Sequence, residues 1–250
     1  MCRLMSFVSR ETLDFPQIVG ANFDEFVELS TFHKHGWGIA INNRDSTEVA
    51  IRKSPEMARA NSDFEEAAHS LSGDGGLLHL RWATTGLAAC PENTHPFTYQ
   101  GYSFIHNGEI KERTTIDPYI ETSLFHAREG DTDSERYFYL LLTQIRELGL
   151  INGARKALEI IENQSAYSSL NAMLLDSENL LVISKFDPTR IPSGQPDDYY
   201  QLSYQKNDSQ ILIASSGWPQ PGWQEIPNNS IMLIDRASQH MTITSLDSPL

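Results

Sequence analysis

Cysteine is scarce in this sequence, with only Cys2 and Cys90 among 250 residues. Two cysteines cannot supply the framework of disulfides that stabilises small secreted domains, which favours a reducing compartment. Long apolar runs are also missing, both near the start, where a signal peptide needs one, and elsewhere, where a membrane span needs about 20 residues. The sequence therefore predicts a cytoplasmic protein that does not use the membrane.

Runs of lysine and arginine are missing as well, and 33 acidic residues outnumber 19 basic ones, for a net charge of −14. A field of this sign repels nucleic acid and anionic membrane surfaces unless a local basic patch intervenes. No internal repeat, low-complexity segment or convincing linker divides the chain. We therefore expect a single domain over residues 1–250, with neither nucleic acid nor a membrane as its partner.

The apolar pattern predicts strands, then helices, then strands again. Strands are expected at Cys2–Val8, Gly36–Ile41, Thr47–Lys53, Gly75–Ala83 and Gly101–Asn107, the second and third as a hairpin. Helices are expected at Glu56–Leu71, from Asp133 onward, and at Ala154–Asn163 after a break at Gly153. Five further strands with hairpin-like spacing follow. This order favours an α+β fold with mostly antiparallel sheets and helices packed outside them.

Cys2 stands directly behind the initiator methionine. Removal of Met1 would expose the α-amino group of Cys2, whose ordinary pKa is about 7.7–8.0. That amine can accept the proton of its own thiol, so one residue can supply both nucleophile and base. The alternative is a small residue tolerated at a frayed end of the chain.

Arg81 and Asp133 are candidates for binding a charged ligand. A guanidinium at the end of a strand forms a planar fork that can hold a carboxylate bidentately, although surface arginines beside aromatics are common. Asp133 stands at the start of a predicted helix, where it can bind an ammonium group or simply serve as the N-cap. Neither residue is decisive alone.

The pair Asn107–Gly108 can act as an oxyanion hole, because a side-chain amide and a backbone N–H can converge on one oxygen. The same dipeptide is also a common hairpin turn. Five histidines (His33, His35, His79, His95 and His106) suggest a metal, yet no metal-binding spacing appears, and we expect structural or loop histidines. Cys90 has no assigned role.

Taken in order along the chain, these motifs resemble the class II glutamine amidotransferases, a family of N-terminal nucleophile hydrolases. The segments that carry the resemblance are MC, HGWGIA, HLRWATTG, NTHPF, HNGEI and DTDSE, which span Met1 to about Glu135. The likeness is greatest to stand-alone members without an attached synthase. It implies a four-layer αββα sandwich and no metal or other cofactor.

The resemblance also implies a role for each matching residue. Cys2, freed of Met1, would attack the side-chain amide of glutamine and form a γ-glutamyl thioester. Arg81 would hold the substrate α-carboxylate, Asp133 its α-ammonium group, and Asn107 with Gly108 the oxyanion. The neighbouring residues that would line the glutamine pocket are Trp82 and Thr84. His35 and Thr85 depart from the family pattern, which leaves the specificity open.

The expected function is therefore a glutamine amidotransferase or a hydrolase of γ-glutamyl amides. Without a synthase domain in these 250 residues, transfer of ammonia would need a partner subunit, whereas simple hydrolysis would not. A catalytically inactive glutamine-binding or regulatory protein with the same fold is the first alternative. A metal-dependent hydrolase that uses the histidines is the second.

Overall fold

A computed structural model describes residues 2–83 and 88–247 of the chain. The strands in these ranges are β1 (Arg3–Leu13), β2 (Trp37–Asn42), β3 (Val49–Ser54), β4 (Gly73–Leu80), β5 (Phe97–Tyr99), β6 (Tyr102–Ile110), β7 (Tyr167–Leu175), β8 (Asn179–Ser184), β9 (Leu202–Lys206), β10 (Gln210–Ser215), β11 (Gln224–Glu225), β12 (Ser230–Asp235) and β13 (Met241–Ser245). The α-helices are α1 (Phe15–Val19), α2 (Phe23–Glu28), α3 (Ser62–Ser70), α4 (Thr122–Phe125), α5 (Asp133–Leu148) and α6 (Leu150–Gln164).

The strands form two antiparallel sheets. The first sheet has the order β11-β9-β10-β1-β4-β2-β3, and the second has the order β13-β12-β8-β7-β6-β5. The predicted hairpin is confirmed, because β2 pairs with β3 from Trp37↔Ser54 to Asn42↔Val49. The central strands β1 and β4 of the first sheet face β6 and β7 of the second.

Alternation along β1 shows how the layers form. Leu4 and Val8 lie in the apolar core between the two sheets, whereas Met5 and Phe7 pack on the opposite face against α1, α2 and α3. Successive side chains of a strand point to opposite faces, so a strand buried on both sides reads as continuously apolar. With α5 and α6 packed on the outer face of the second sheet, the result is the expected α+β, four-layer αββα sandwich.

Two helix boundaries differ from the sequence prediction. Helix α3 begins at Ser62 rather than Glu56, because the side chain of Asn61 accepts a hydrogen bond from the Phe64 N–H (2.9 Å) and caps it there. Gly153 lies inside α6 instead of breaking the chain before it. A Cβ atom at Gly153 would lie 2.5 Å from the Ile145 backbone nitrogen, so glycine allows α6 to approach α5 closely.

The segment between β1 and β2 was not predicted to be helical, but it contains α1 and α2. Asp14 caps α1 by accepting from the Gln17 N–H (2.8 Å), while the Gln17 side chain accepts from the Asp14 N–H (3.0 Å). Within the described ranges, no helix combines the length and apolar character needed to cross a bilayer.

Candidate active site

Cys2 lies one residue before β1 and is 9% exposed. Its thiol contacts the backbone of Trp82 twice: the Trp82 N–H donates to Sγ (3.4 Å) and the S–H donates to the Trp82 carbonyl (3.7 Å). The pairing of β1 with β4 brings the two residues together, because Arg3 stands opposite Leu80. Burial raises the pKa of the Cys2 thiol, although the Trp82 hydrogen bond and the charge of Arg81 oppose that rise. A raised pKa favours the protonated thiol.

Arg81 follows β4 and is 3% exposed. Its N–H donates to the Gly36 carbonyl (2.8 Å), which continues the β-ladder past the strand end. The guanidinium donates to the carbonyl oxygens of His35 (3.1 Å) and Ala88 (3.4 Å). No carboxylate of residues 2–83 or 88–247 forms an ion pair with it. A buried cation held only by carbonyls has donors left for an anionic ligand.

His35 holds the segment that follows Arg81. Its Nδ1 accepts a hydrogen bond from the Ala83 N–H (3.1 Å), so Nδ1 is the unprotonated nitrogen of the ring. Burial lowers the pKa of His35, with Lys34 and Arg81 adding to the effect, and this favours the neutral ring. The 40% exposed Trp82 makes edge contacts with the rings of His33 and His35. Thr84 and Thr85 lie outside the described residues.

Asp133 is the first residue of α5 and is 6% exposed. The N-cap is its neighbour Thr132, whose hydroxyl accepts from the Glu135 N–H (3.0 Å), so the N-cap interpretation of Asp133 is wrong. One carboxylate oxygen of Asp133 accepts from the Ile110 N–H (2.8 Å). This contact ties the start of α5 to the end of β6 and leaves the second oxygen for another donor, with the Ser134 hydroxyl 3.5 Å away.

Asn107 and Gly108 lie inside β6, opposite Asn171 and Leu170 of β7, so the interpretation of this pair as a hairpin turn is wrong. A Cβ atom at Gly108 would lie 1.7 Å from the Ser169 carbonyl oxygen, which no side chain could tolerate. Asn107 is fully buried, and neither its amide nitrogen nor its amide oxygen has a hydrogen-bond partner in the described part of the chain. A buried amide of this kind is costly unless a ligand or water completes it.

One pocket collects most of the residues predicted from the sequence. It is lined by Cys2, Arg81, Trp82, Ala83, Asn93, His95, His106, Gly108, Thr132, Asp133 and Ser134. The thiol, the buried guanidinium and the carboxylate therefore share one cleft at the ends of β1, β4 and β6. Asn107 is not among the lining residues, although it adjoins Gly108, which is.

Three of the histidines that the sequence predicts to be structural or loop residues, His79, His95 and His106, lie around this pocket. His79 and His95 stack with their ring centroids 4.1 Å apart, and His79 Nε2 lies 3.3 Å from the His106 carbonyl oxygen. The Nδ1 of His106 hydrogen-bonds the Ser134 hydroxyl (2.8 Å). Burial lowers the pKa of all three rings, that of His79 to about 3. In the ranges that the structure describes, no group of histidine, cysteine and carboxylate side chains is arranged to hold a metal.

Comparison with known proteins gives consistent matches. A family model described as class-II glutamine amidotransferases matches residues 1–214. A protein of Saccharomyces cerevisiae described as "probable glutamine amidotransferase DUG3" is 22% identical, over 94% of this chain and 82% of that protein. A glutamine–fructose-6-phosphate aminotransferase of Streptococcus agalactiae is 32% identical over 129 residues, but the match covers 50% of this chain and only 20% of that protein.

Solved structures share the fold. A glutamine aminotransferase class-II domain protein from Silicibacter pomeroyi superposes with a TM-score of 0.69 at 17% identity, covering 98% of this chain and 99% of that one. A glutamine phosphoribosylpyrophosphate amidotransferase from B. subtilis gives a TM-score of 0.63 at 17% identity, covering all of this chain and 50% of that one. At these identities the likeness concerns the two-sheet sandwich alone.

Proposed function

The chain belongs to the class-II glutamine amidotransferases, and from this premise we propose that it hydrolyses the γ-amide of glutamine or of a γ-glutamyl compound through the thiol of Cys2. The observation that carries the proposal is the pocket shared by Cys2, the buried guanidinium of Arg81 and the carboxylate of Asp133. Among the described residues, no carboxylate forms an ion pair with that guanidinium. Together they offer a nucleophile, a site for a carboxylate and a site for an ammonium group.

The first step is attack of Cys2 Sγ on the amide carbon. Because burial raises the pKa of the thiol, the proton must leave during the attack, and the α-amino group of Cys2, freed by loss of Met1, is the base that we assign. The amine near neutral pH is partly unprotonated, as this role requires. As the S–C bond forms, the π electrons of the amide C=O bond move onto its oxygen.

The developing oxyanion needs donors that are already in place. We assign this role to the Gly108 N–H and the Asn107 side-chain amide, which has no partner among the described residues. Collapse of the adduct breaks the C–N bond, and the departing nitrogen takes the proton from the α-ammonium group of Cys2. A water molecule then attacks the γ-glutamyl thioester, the amine accepts its proton, and glutamate leaves as the thiol is restored.

The other end of the substrate is held by charge. Arg81 clamps the α-carboxylate with the guanidinium donors not used on His35 and Ala88. The carboxylate oxygen of Asp133 that faces the Ser134 hydroxyl (3.5 Å) has a second lone pair, with which it accepts from the α-ammonium group. In this proposal, Trp82 and Thr84 line the glutamine pocket. Recognition of both groups selects a γ-glutamyl unit whose α-ammonium and α-carboxylate groups are free, and it rejects amides that lack them.

The test is the intact mass of the purified protein before and after exposure to a diazo-ketone analogue of glutamine. We expect loss of Met1 and one adduct on Cys2, together with release of ammonia from glutamine by the untreated protein. Cys2→Ala should take no adduct, whereas the matched Cys90→Ala variant should be labelled as fully as the wild type. Retained Met1, or labelling that follows Cys90, would contradict the proposal and leave a glutamine-binding protein without catalysis.

The remaining expectations stay predictions. One domain over residues 1–250 agrees with the single sandwich that the described strands form. Whether a synthase subunit receives the ammonia is tested by asking which proteins co-purify with the chain and whether they raise its glutaminase rate. The cytoplasmic location is tested by fractionating cells that express it.

A further inference from the structure

His95 lines the catalytic pocket but has no role in the mechanism above. It is 4% exposed, and neither ring nitrogen has a hydrogen-bond partner in residues 2–83 and 88–247. The ring is stacked on His79 and meets the edge of Phe97, with centroids 4.1 and 4.6 Å away. Apolar and aromatic contacts therefore hold the ring in place while leaving both nitrogens unpaired.

The backbone around His95 is held as firmly as its ring. Lys53 Nζ donates to the carbonyl oxygens of Thr94 (3.0 Å) and Pro96 (3.4 Å). On the other side, a Cβ atom at Gly38 would lie 2.1 Å from the His95 carbonyl oxygen, so glycine in β2 permits this close packing. The unpaired ring is therefore preorganised, as a ligand-binding group must be.

Its protonation state decides what His95 can bind. Burial, together with His79, His106, Arg81 and Lys53, lowers the pKa of His95 well below its usual value, so the ring is neutral. A neutral imidazole has one N–H donor and one acceptor nitrogen, and a buried donor without an acceptor is costly. The ligand that enters this pocket has its densest set of acceptors in the α-carboxylate, which can accept about four hydrogen bonds.

Arg81 marks the place of that carboxylate. Its guanidinium lines the same pocket as His95 and donates to two backbone carbonyls, which leaves other donors for a ligand. We propose that the ring N–H of His95 hydrogen-bonds the α-carboxylate of the bound γ-glutamyl unit, beside Arg81, so that His95 is a further substrate-binding residue. This inference rests on the proposed function and names a residue that the recognition scheme above lacks.

The variants separate hydrogen bonding from packing. His95→Phe keeps a flat ring for the stack on His79 and removes both nitrogens. His95→Gln restores a side-chain N–H donor and serves as the conservative rescue. Each substitution is made in a Cys2→Ala background, so that binding is measured by calorimetry without turnover, and the matched control is His69→Phe at an exposed histidine.

Three ligands identify the contacted group: glutamine, glutaramate (which lacks the α-amino group) and 4-aminobutanamide (which lacks the α-carboxylate). We expect His95→Phe to weaken glutamine and glutaramate by about tenfold to a hundredfold, as loss of a hydrogen bond to a charged group does, and His95→Gln to recover part of this. Binding of 4-aminobutanamide, and all binding by His69→Phe, should change less than about twofold on the same scale.

Several outcomes overturn the inference. Unchanged affinity of His95→Phe for glutamine would overturn it. An equal loss of affinity for 4-aminobutanamide would overturn it as well, because it would indicate a structural role for His95. If His95→Phe weakens the binding of glutamine but not of glutaramate, His95 contacts the α-amino group instead, which also overturns the inference. If His95→Phe does not fold, His95→Leu, which also lacks both ring nitrogens, takes its place in the same comparison. Failure of the proposed function is distinguishable, because the protein with Cys2 intact would then release no ammonia and take no adduct.

Discussion

His79 makes the stability of this protein depend on acid in a way that can be calculated. The residue lies in β4, fully buried, and its Nε2 reaches the His106 carbonyl in the opposite sheet (3.3 Å). Burial, the largest cause, lowers its pKa from 6.5 to about 3. A histidine with a lowered folded pKa supports the folded state above pH 6.5, and that support is lost as the pH falls from 6.5 toward 3.

The magnitude at pH 5 follows directly. The folded protein leaves His79 unprotonated there, while the unfolded chain binds a proton with a pKa of 6.5. Because pH 5 lies about 1.5 pH units below the unfolded pKa of 6.5, the unfolding free energy is lower there by about 2 kcal/mol, and the full loss near pH 3 approaches about 5 kcal/mol. His95 and His106, whose pKa values burial also lowers, act in the same direction, so the whole protein loses more than this.

The assay is urea unfolding at pH 7 and pH 5, followed by circular dichroism and tryptophan fluorescence, for the wild type and His79→Gln. Glutamine keeps a polar side chain for the His106 carbonyl but does not titrate in this range. We expect the pH-dependent loss to be about 2 kcal/mol smaller in His79→Gln than in the wild type, and unchanged in the exposed control His69→Gln. Equal losses in the wild type and His79→Gln would refute the reasoning.

Three further predictions concern the site. Asn107→Ala should lower kcat about 100-fold with little change in KM, as loss of an oxyanion donor does; an undiminished kcat in steady-state ammonia release would exclude the assignment. Arg81→Lys should mainly raise KM for glutamine, about tenfold or more, because the bidentate fork is lost; a changed kcat at constant KM would contradict it. Gly108→Ala should abolish cooperative unfolding, since its Cβ would overlap the Ser169 carbonyl (1.7 Å). A cooperative thermal unfolding curve like that of the wild type would contradict this, because it would show that β6 and β7 can move apart at little cost in stability.

Some features followed from local pattern and were found in the structure. Short apolar segments bounded by turn residues predicted the β2–β3 hairpin and the strand at Cys2–Val8, which the structure has as β1 (Arg3–Leu13). The helix from Asp133 was predicted by the helical periodicity of its apolar residues. These signals need no knowledge of distant residues.

Other features could not be predicted locally. The dipeptide Asn107–Gly108 suits both a turn and a strand, and the choice depends on Ser169 in β7, whose carbonyl packs where a Cβ would be. Gly153 weakens an isolated helix, yet it lies inside α6 because the neighbouring backbone of α5 approaches it. The sequence predicts His95 only as a structural or loop histidine, because its stacking on His79 and the lack of a partner for its nitrogens among the described residues are properties of the packed fold.

The chemical groups of the site can be identified from the amino-acid sequence alone: a thiol at the second residue, a guanidinium after a strand and a carboxylate at a helix start, in a chain of net charge −14. Which of these groups meet depends on the tertiary fold. Cys2 reaches the Trp82 backbone because β1 pairs with β4, and Asp133 reaches the same pocket because its carboxylate binds the backbone at the end of β6. Burial then sets the charge states, raising the pKa of the Cys2 thiol, and burial is a property of the packed layers rather than of any short stretch of chain.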